Sequence, residues 1–279
     1  MKQKLRLTIL AVLAVTMLCA CEKTQTPGED LRYTYLTGEE ERARVSTALQ
    51  AAGVSDDRLL VFWDHVNQYN EAVDGLLDGD DYDPYALQDA WYNAYPDFLG
   101  YNCRITAFGL MGDFIHVDGR AEAGDSYLMF DYEALNADDS ALLSPNDLNA
   151  FSLLFSTVPT SNTTDTNLHV EAIQQEWQAR GIHFDDNAPI HLISVFFHDK
   201  WDENTNELMP GHVGVLIETG EDGLLFVEKI AFQEPYRATW FEKRGQLHDY
   251  LMEKYDTAED QETARSFILE NDKLLCADD

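Results

Sequence analysis

The chain is short of positive charge. It carries 19 Lys and Arg against 51 Asp and Glu, a formal net charge of −32 at pH 7. A surface this acidic repels nucleic-acid phosphate and anionic lipid headgroups, so neither is expected as a partner. Cysteine is scarce as well, with four in 279 residues, too few for a fold held together by disulfides. No His-Glu-x-x-His pair of zinc ligands occurs, and no glycine-rich loop of the kind that cradles phosphate. Two stretches match a calcium loop only in part. Asp78-Gly79-Asp80 continues into Tyr82 where a ligand belongs, and Asp202-Glu203-Asn204-Thr205-Asn206 is followed by Glu207 where such a loop needs glycine. The expectation is of no metal and no cofactor.

What the sequence does hold begins at its first residues. Lys2, Lys4 and Arg6 form a basic start, and Leu7 to Leu18 is apolar apart from Thr8 and Thr16. The stretch is short for a membrane span, and its order is that of a signal peptide. Leu18-Cys19-Ala20-Cys21 reads as a lipobox. Residues 1–20 are therefore expected to be a lipoprotein signal, with Cys21 the lipidated residue of the mature chain. Residues 21–36 read as a polar tether containing Pro27 and Gly28. The protein would then sit outside the cytoplasm, held to the bacterial cell membrane by lipid. The alternative is an ordinary secretory signal cleaved nearby.

Residues 37–279 read as one α+β domain, long enough for a sizeable core. Helical spacing and caps predict helices over Glu39–Ala52, from Ser55 through Tyr69, over Tyr85–Tyr95 and over Cys103–Asp113. A helical insertion is expected at about 121–188, with helices near Pro145–Thr157 and Leu168–Arg180. From Pro189 the pattern turns to strands, Ile190–Phe197, His212–Glu218 and Leu224–Ile230, with Asp199–Met209 as a polar hairpin loop. A helix over Lys243–Tyr255 follows, and the last apolar run, Ser266 to Leu275, reads as a strand returning to the sheet. Helices first and sheet second is the order of an α+β fold, with the Cys103 helix packed on an antiparallel sheet.

Two residues stand where thiol chemistry would put them. Cys103 opens an apolar helix, and the positive end of a helix dipole lowers a thiol's pKa. His212 opens a strand after Pro210-Gly211, a rigid place from which an imidazole can act as base. Glu228 lies on the next strand, where the returning chain would bring it beside His212 to orient the ring. Each has a structural alternative. Cys103 has Cys276 as a possible disulfide partner, and Glu228 has Lys229 or Arg237 as a salt-bridge partner. His212 has seven rivals, of which His191 and His198 end the preceding strand. His65, His169 and His248 lie on helices as surface or satisfied side chains, and His116 and His183 lie near element ends. Gly214, two residues on, would let a substrate or the Cys103 helix approach closely.

The order of a cysteine at a helix start, then His212-Val213-Gly214-Val215 on a strand, then a polar residue on the next strand resembles the NlpC/P60 and papain-like amidases. That resemblance implies Cys103 as nucleophile, His212 as base, Glu228 as orienting residue, and cell-wall peptide as a substrate. Asn102-Cys103-Arg104-Ile105-Thr106-Ala107-Phe108, the His212 strand and Phe226-Val227-Glu228-Lys229-Ile230-Ala231-Phe232-Gln233-Glu234-Pro235-Tyr236 are together similar to a bacterial lipoprotein family grouped as domain of unknown function 4300. The chain departs from the amidase pattern at Asn102, where those enzymes often have Asp, and at Glu228, where they often have His. The expected function is an extracytoplasmic, lipid-anchored thiol amidase or peptidase acting as a monomer on cell-wall peptide or a small peptide amide. The alternative is an envelope-binding lipoprotein that keeps the fold without the chemistry.

Overall fold

In the computed structural model, helices precede a large antiparallel sheet, an α+β arrangement. It describes residues 32–77, 82–120, 125–137, 143–202, 205–220, 223–258 and 260–278. Residues 1–20, expected to be a signal peptide, and Cys21 lie outside the described residues, as do parts of both calcium-like stretches.

The chain starts with β1 (Arg32–Thr34), then runs through α1 (Glu39–Ala51), α2 (Asp56–Ala72), α3 (Pro84–Ala94) and α4 (Cys103–Met111). The segment expected as a helical insertion holds α5 (Met129–Asn136), α6 (Pro145–Phe155) and α7 (Thr166–Ala179), preceded by the short strand β2 (Ile115–Val117). It also contains β3 (Val158–Pro159) and β4 (Ile182–Phe184), and β2 pairs with β4 in a two-stranded sheet of its own. The remaining elements are β5 (Ile190–Lys200), β6 (Asn206–Glu218), β7 (Leu224–Lys229), β8 (Tyr236–Phe241), α8 (Arg244–Tyr255), β9 (Phe267–Glu270) and β10 (Lys273–Leu274). The main sheet runs β1-β8-β7-β6-β5-β9-β10, with β3 attached to β6.

Three stretches depart from the expectation. The Asp199–Met209 loop is mostly strand, since β5 continues to Lys200 and β6 begins at Asn206. Leu208 and Glu207 are held there by pairing with β3. Tyr236–Phe241 forms β8 beside β7, adding a fourth strand to the predicted meander. Arg32–Thr34, within the stretch read as tether, pairs antiparallel with β8.

The sheet is covered on both faces. Val213, Val215, Leu225 and Val227 belong to the larger core with α2, α4, α6 and α7. Leu216, Leu224 and Phe226 belong to a second core with Leu247 and Leu251 of α8. Two-sided cover explains why all of β7 is buried and why its first four residues, Leu224–Val227, read as an apolar run rather than an alternating one. α4 is buried at eight of its nine residues, as expected of a helix that is apolar all round. It is therefore the central helix, and its N-terminus is fixed against β6.

Candidate active site

Cys103 occupies the first turn of α4 because Asn102 caps it. The Asn102 Oδ1 accepts from the Ile105 N–H at 3.0 Å, and its Nδ2 donates to Asp131 Oδ1 at 2.8 Å. Both ends of the Asn102 amide are thus spent on holding the helix start, which satisfies one of its otherwise orphaned donors. Arg104 completes the anchor. Its guanidinium donates to Asp131 at 2.8 and 2.7 Å, to Tyr127 Oη at 3.0 Å and to the Pro210 carbonyl at 3.3 Å. Tyr127 Oη donates to the same carbonyl at 3.1 Å. One buried network therefore ties the residue after Cys103 to the strand two residues before His212.

His212 is aimed by a β-bulge. Val195 pairs with His212 and Phe196 with Pro210, so Gly211 is the extra residue. Bulges turn a side chain out of register and are common beside active sites. A side chain at 211 would collide with the Phe197 ring, which explains the glycine. At Gly214 the nearby space is taken by Phe226 and the Val227 carbonyl, not by α4. Of the two expected neighbours, the Cys103 helix is not what lies nearest to it.

Extending the register of β6 and β7 by one residue sets Gly214 opposite Glu228 and makes His212 a diagonal neighbour of it. His212 Nε2 and Glu228 Oε2 are 2.8 Å apart. The other oxygen, Oε1, accepts from Arg237 Nε at 3.1 Å, from Arg237 Nη2 at 3.0 Å and from Tyr250 Oη at 2.6 Å. The two readings of Glu228, orienting carboxylate and salt-bridge partner of Arg237, are thus both true, one on each oxygen. Lys229 points elsewhere and donates its Nζ to the Glu234 carbonyl.

Since Nε2 is committed to Glu228, Nδ1 is the nitrogen left for the thiol. Burial would push the Cys103 thiol up, but the hydrogen bond with His212, the nearby charges of His212 and Arg104, and the Val213 backbone outweigh it. The net shift is downward. For His212 burial favours the neutral ring, yet Cys103 and Glu228 together raise its pKa. The opposite directions are those that a thiolate–imidazolium pair requires. The pair is enclosed, with Cys103 6% and His212 1% exposed. Tyr255 stacks on the imidazole, with ring centroids 4.6 Å apart and planes 18° from parallel.

The competing assignments resolve simply. Cys103 and Cys276 are both free thiols. His169 is buried with both ring nitrogens engaged, one with Thr160 Oγ1 and one with the Thr163 carbonyl, each at 2.8 Å. His198 Nδ1 accepts from the Ala264 N–H at 3.1 Å, and His65 stacks on Tyr101. Among the described residues no group of three or more His, Cys, Asp or Glu is placed to hold a metal ion.

A family model spans residues 32–275, from β1 to just beyond β10. The chain belongs to the family described as Domain of unknown function (DUF4300). No curated protein and no solved structure matches it. The DUF4300 span contains Cys103, His212 and Glu228 together with the residues that hold them.

Sequence reading missed Tyr127, Asp131, Tyr250 and Tyr255 among those supports, and two of them carry a signal. Asp131 sits between Leu128 and Leu135 at helical spacing, and all three are buried. A carboxylate inside an apolar stripe signals a buried charge in need of a partner. Tyr255 continues the Leu247, Leu251 stripe of α8 by one turn, which places it on the sheet-facing side.

Glu228 also sets an acid limit. Burial would raise its carboxyl, but His212, Arg237 and Lys254 hold it at about 2, below its ordinary 4.5. A depressed folded-state value contributes stability that is complete above pH 4.5 and lost as the pH falls toward 2. Thermal melts followed by circular dichroism across that window are expected to show a steep acid limb. Glu228→Gln should lower Tm at pH 7 and flatten the limb; an unchanged limb would mean that other carboxylates govern acid unfolding.

Proposed function

We propose that this protein is a thiol hydrolase of the amidase or peptidase kind. The observation that carries the reading is the chain Cys103–His212–Glu228, in which a thiol at a helix N-terminus meets an imidazole whose far nitrogen is 2.8 Å from a buried carboxylate. It is the arrangement implied by the resemblance to papain-like and NlpC/P60 amidases. The Cys103 thiolate attacks an amide carbonyl, forming the S–C bond. The oxyanion is received by N–H groups of the first turn of α4. The Ile105 and Thr106 N–H groups are spent on Asn102, which leaves those of Cys103 and Arg104. His212 gives its proton to the leaving amine as the C–N bond breaks. Water, deprotonated by His212, then cleaves the thioester, releasing the acid and restoring the thiol. Glu228 holds the ring and stabilises its charged form throughout.

The lipobox at Cys21 supports an extracytoplasmic, lipid-anchored location, where the amides at hand are cell-wall stem peptides and small peptide amides. The enclosure of the Cys103–His212 pair is the one observation that favours the second reading, an envelope-binding lipoprotein without turnover. Incubation with purified cell-wall stem peptides, followed by mass spectrometry, separates the two. Wild type should release a new amine and a new acid, and Cys103→Ala should reduce that rate by at least about a thousandfold. Equal hydrolysis by wild type and Cys103→Ala would overturn the proposal.

A further inference from the structure

Four basic side chains lie around the Cys103–His212 pair, and three of them are engaged. Arg104 is committed to Asp131 and Arg237 to Glu228. Lys229 is buried against Tyr69, with Nζ 3.6 Å from the ring centroid, and donates to the Glu234 carbonyl. Lys254 is different. Among the described residues it has no ion pair and no hydrogen bond, and its only close polar contact is with the face of Tyr255, where Nζ lies 5.4 Å from the ring centroid. Tyr255 is the ring stacked on His212. Its Oη is buried and has no hydrogen-bond partner among the described residues.

Two donors from consecutive residues at the C-terminal end of α8 are therefore unspent, on the ring that stacks on His212. A buried hydroxyl without a partner is costly and calls for an explanation, of which an absent ligand is one. Lys254 is half-buried in the same place. Burial lowers its pKa, opposed chiefly by Glu228. Yet Glu228 has both oxygens saturated by His212, Arg237 and Tyr250. An ammonium over the Tyr255 ring and the phenol of that same ring, neither with a hydrogen-bond acceptor among the described residues, offer two donors for the two oxygens of a carboxylate. The chain's overall negative charge does not oppose this at contact range. Exposed charges are screened beyond about 8 Å at physiological salt, whereas a half-buried ammonium is screened far less.

We propose that Lys254 Nζ and Tyr255 Oη receive a carboxylate of the substrate, so that the substrate class is an amide bearing a free carboxylate close to the scissile bond. The inference rests on the thiol-hydrolase reading and deepens it. Both residues are substrate-binding groups and leave proton transfer to His212.

A pair of reagents tests the two ideas separately. Iodoacetate and iodoacetamide alkylate a thiol by the same displacement of iodide, but only iodoacetate carries a carboxylate. Their relative rates at Cys103 are read by peptide mapping of the full chain and compared with the same ratio at Cys103 in the denatured chain. Folded wild type should favour iodoacetate by roughly tenfold over that reference, the size of one charge contact at partial burial. Lys254→Met should abolish the preference, Lys254→Arg should restore most of it, and Tyr255→Phe, which keeps the stack, should lose about a threefold part. A charge serving only the C-terminal end of α8 would change Tm and leave the ratio alone. Rapid iodoacetamide reaction without any iodoacetate preference overturns the carboxylate proposal and leaves the thiolate reading intact. A Cys103 that reacts with neither reagent overturns both.

Discussion

Replacing His212 with alanine is expected to slow alkylation of Cys103 by iodoacetamide at pH 7 by about thirty- to a hundredfold. The reasoning is a balance of opposing causes. Burial drives the thiol up, and His212 supplies the largest of the effects that bring it down. With the imidazole removed, only the lesser effects of Arg104 and the Val213 backbone still oppose burial. A thiol at or above its ordinary value of about 8.5 is only a few per cent ionised at neutral pH, while a thiol paired with imidazolium is mostly ionised. The thiolate is the reacting species, so the rate follows the ionised fraction. Stopped-flow or mass-spectrometric alkylation rates measure it. A loss of less than about threefold would show that the helix terminus alone sustains the thiolate.

The second large effect falls on stability. Asp131→Ala should destabilise the fold by about 3–5 kcal/mol, because it strands a buried guanidinium. Asp131 is fully buried and accepts from both Arg104 and Asn102. Its loss therefore removes the partner of the α4 cap as well as that of the residue next to Cys103. In a domain of this size the change corresponds to a Tm lower by about 10 °C. Arg104→Met combined with Asp131→Leu should recover most of the loss, since a buried ion pair can be replaced by packed apolar side chains at little cost. The double variant should nevertheless react sluggishly at Cys103, because the link from Arg104 to the Pro210 carbonyl is gone. Full thiol reactivity in a stable double variant would reduce the network to a structural support. Melting curves and alkylation rates on the same samples separate the two effects.

Much of this arrangement was legible in the residues. The largely apolar α4 opening at Cys103 and the Pro210-Gly211 break before His212 are local signals, and local signals survive in a sequence. Glu228 was within reach because one tight turn fixes how β7 returns along β6, although its neighbour Arg237 competed for it. Neither alternative had to lose, since a carboxylate has two oxygens and the fold uses each for a different partner. What stayed hidden depends on distant pairing. β8 became a strand by lying between β7 and β1, and β1 is a three-residue edge that no periodicity can mark. The polar Asp199–Met209 stretch reads as a loop because its strand character depends on β3 and on the length of the β5–β6 hairpin. Asp131, Tyr250 and Tyr255 reach the site from elements far along the chain. Only the spacing of Asp131 and Tyr255 on apolar stripes hints that they point inward.

The central claim is that Cys103 rests as a thiolate paired with His212, and the pH dependence of its alkylation tests this most directly. Iodoacetamide labelling of the wild-type chain from pH 4 to 10, with Cys103 followed by peptide mapping, yields the thiol's apparent pKa. A thiolate held by His212 gives a half-maximal rate well below the ordinary thiol value of about 8.5, with Cys276 in the same sample serving as comparison. A rate at Cys103 that rises only above that value would contradict it.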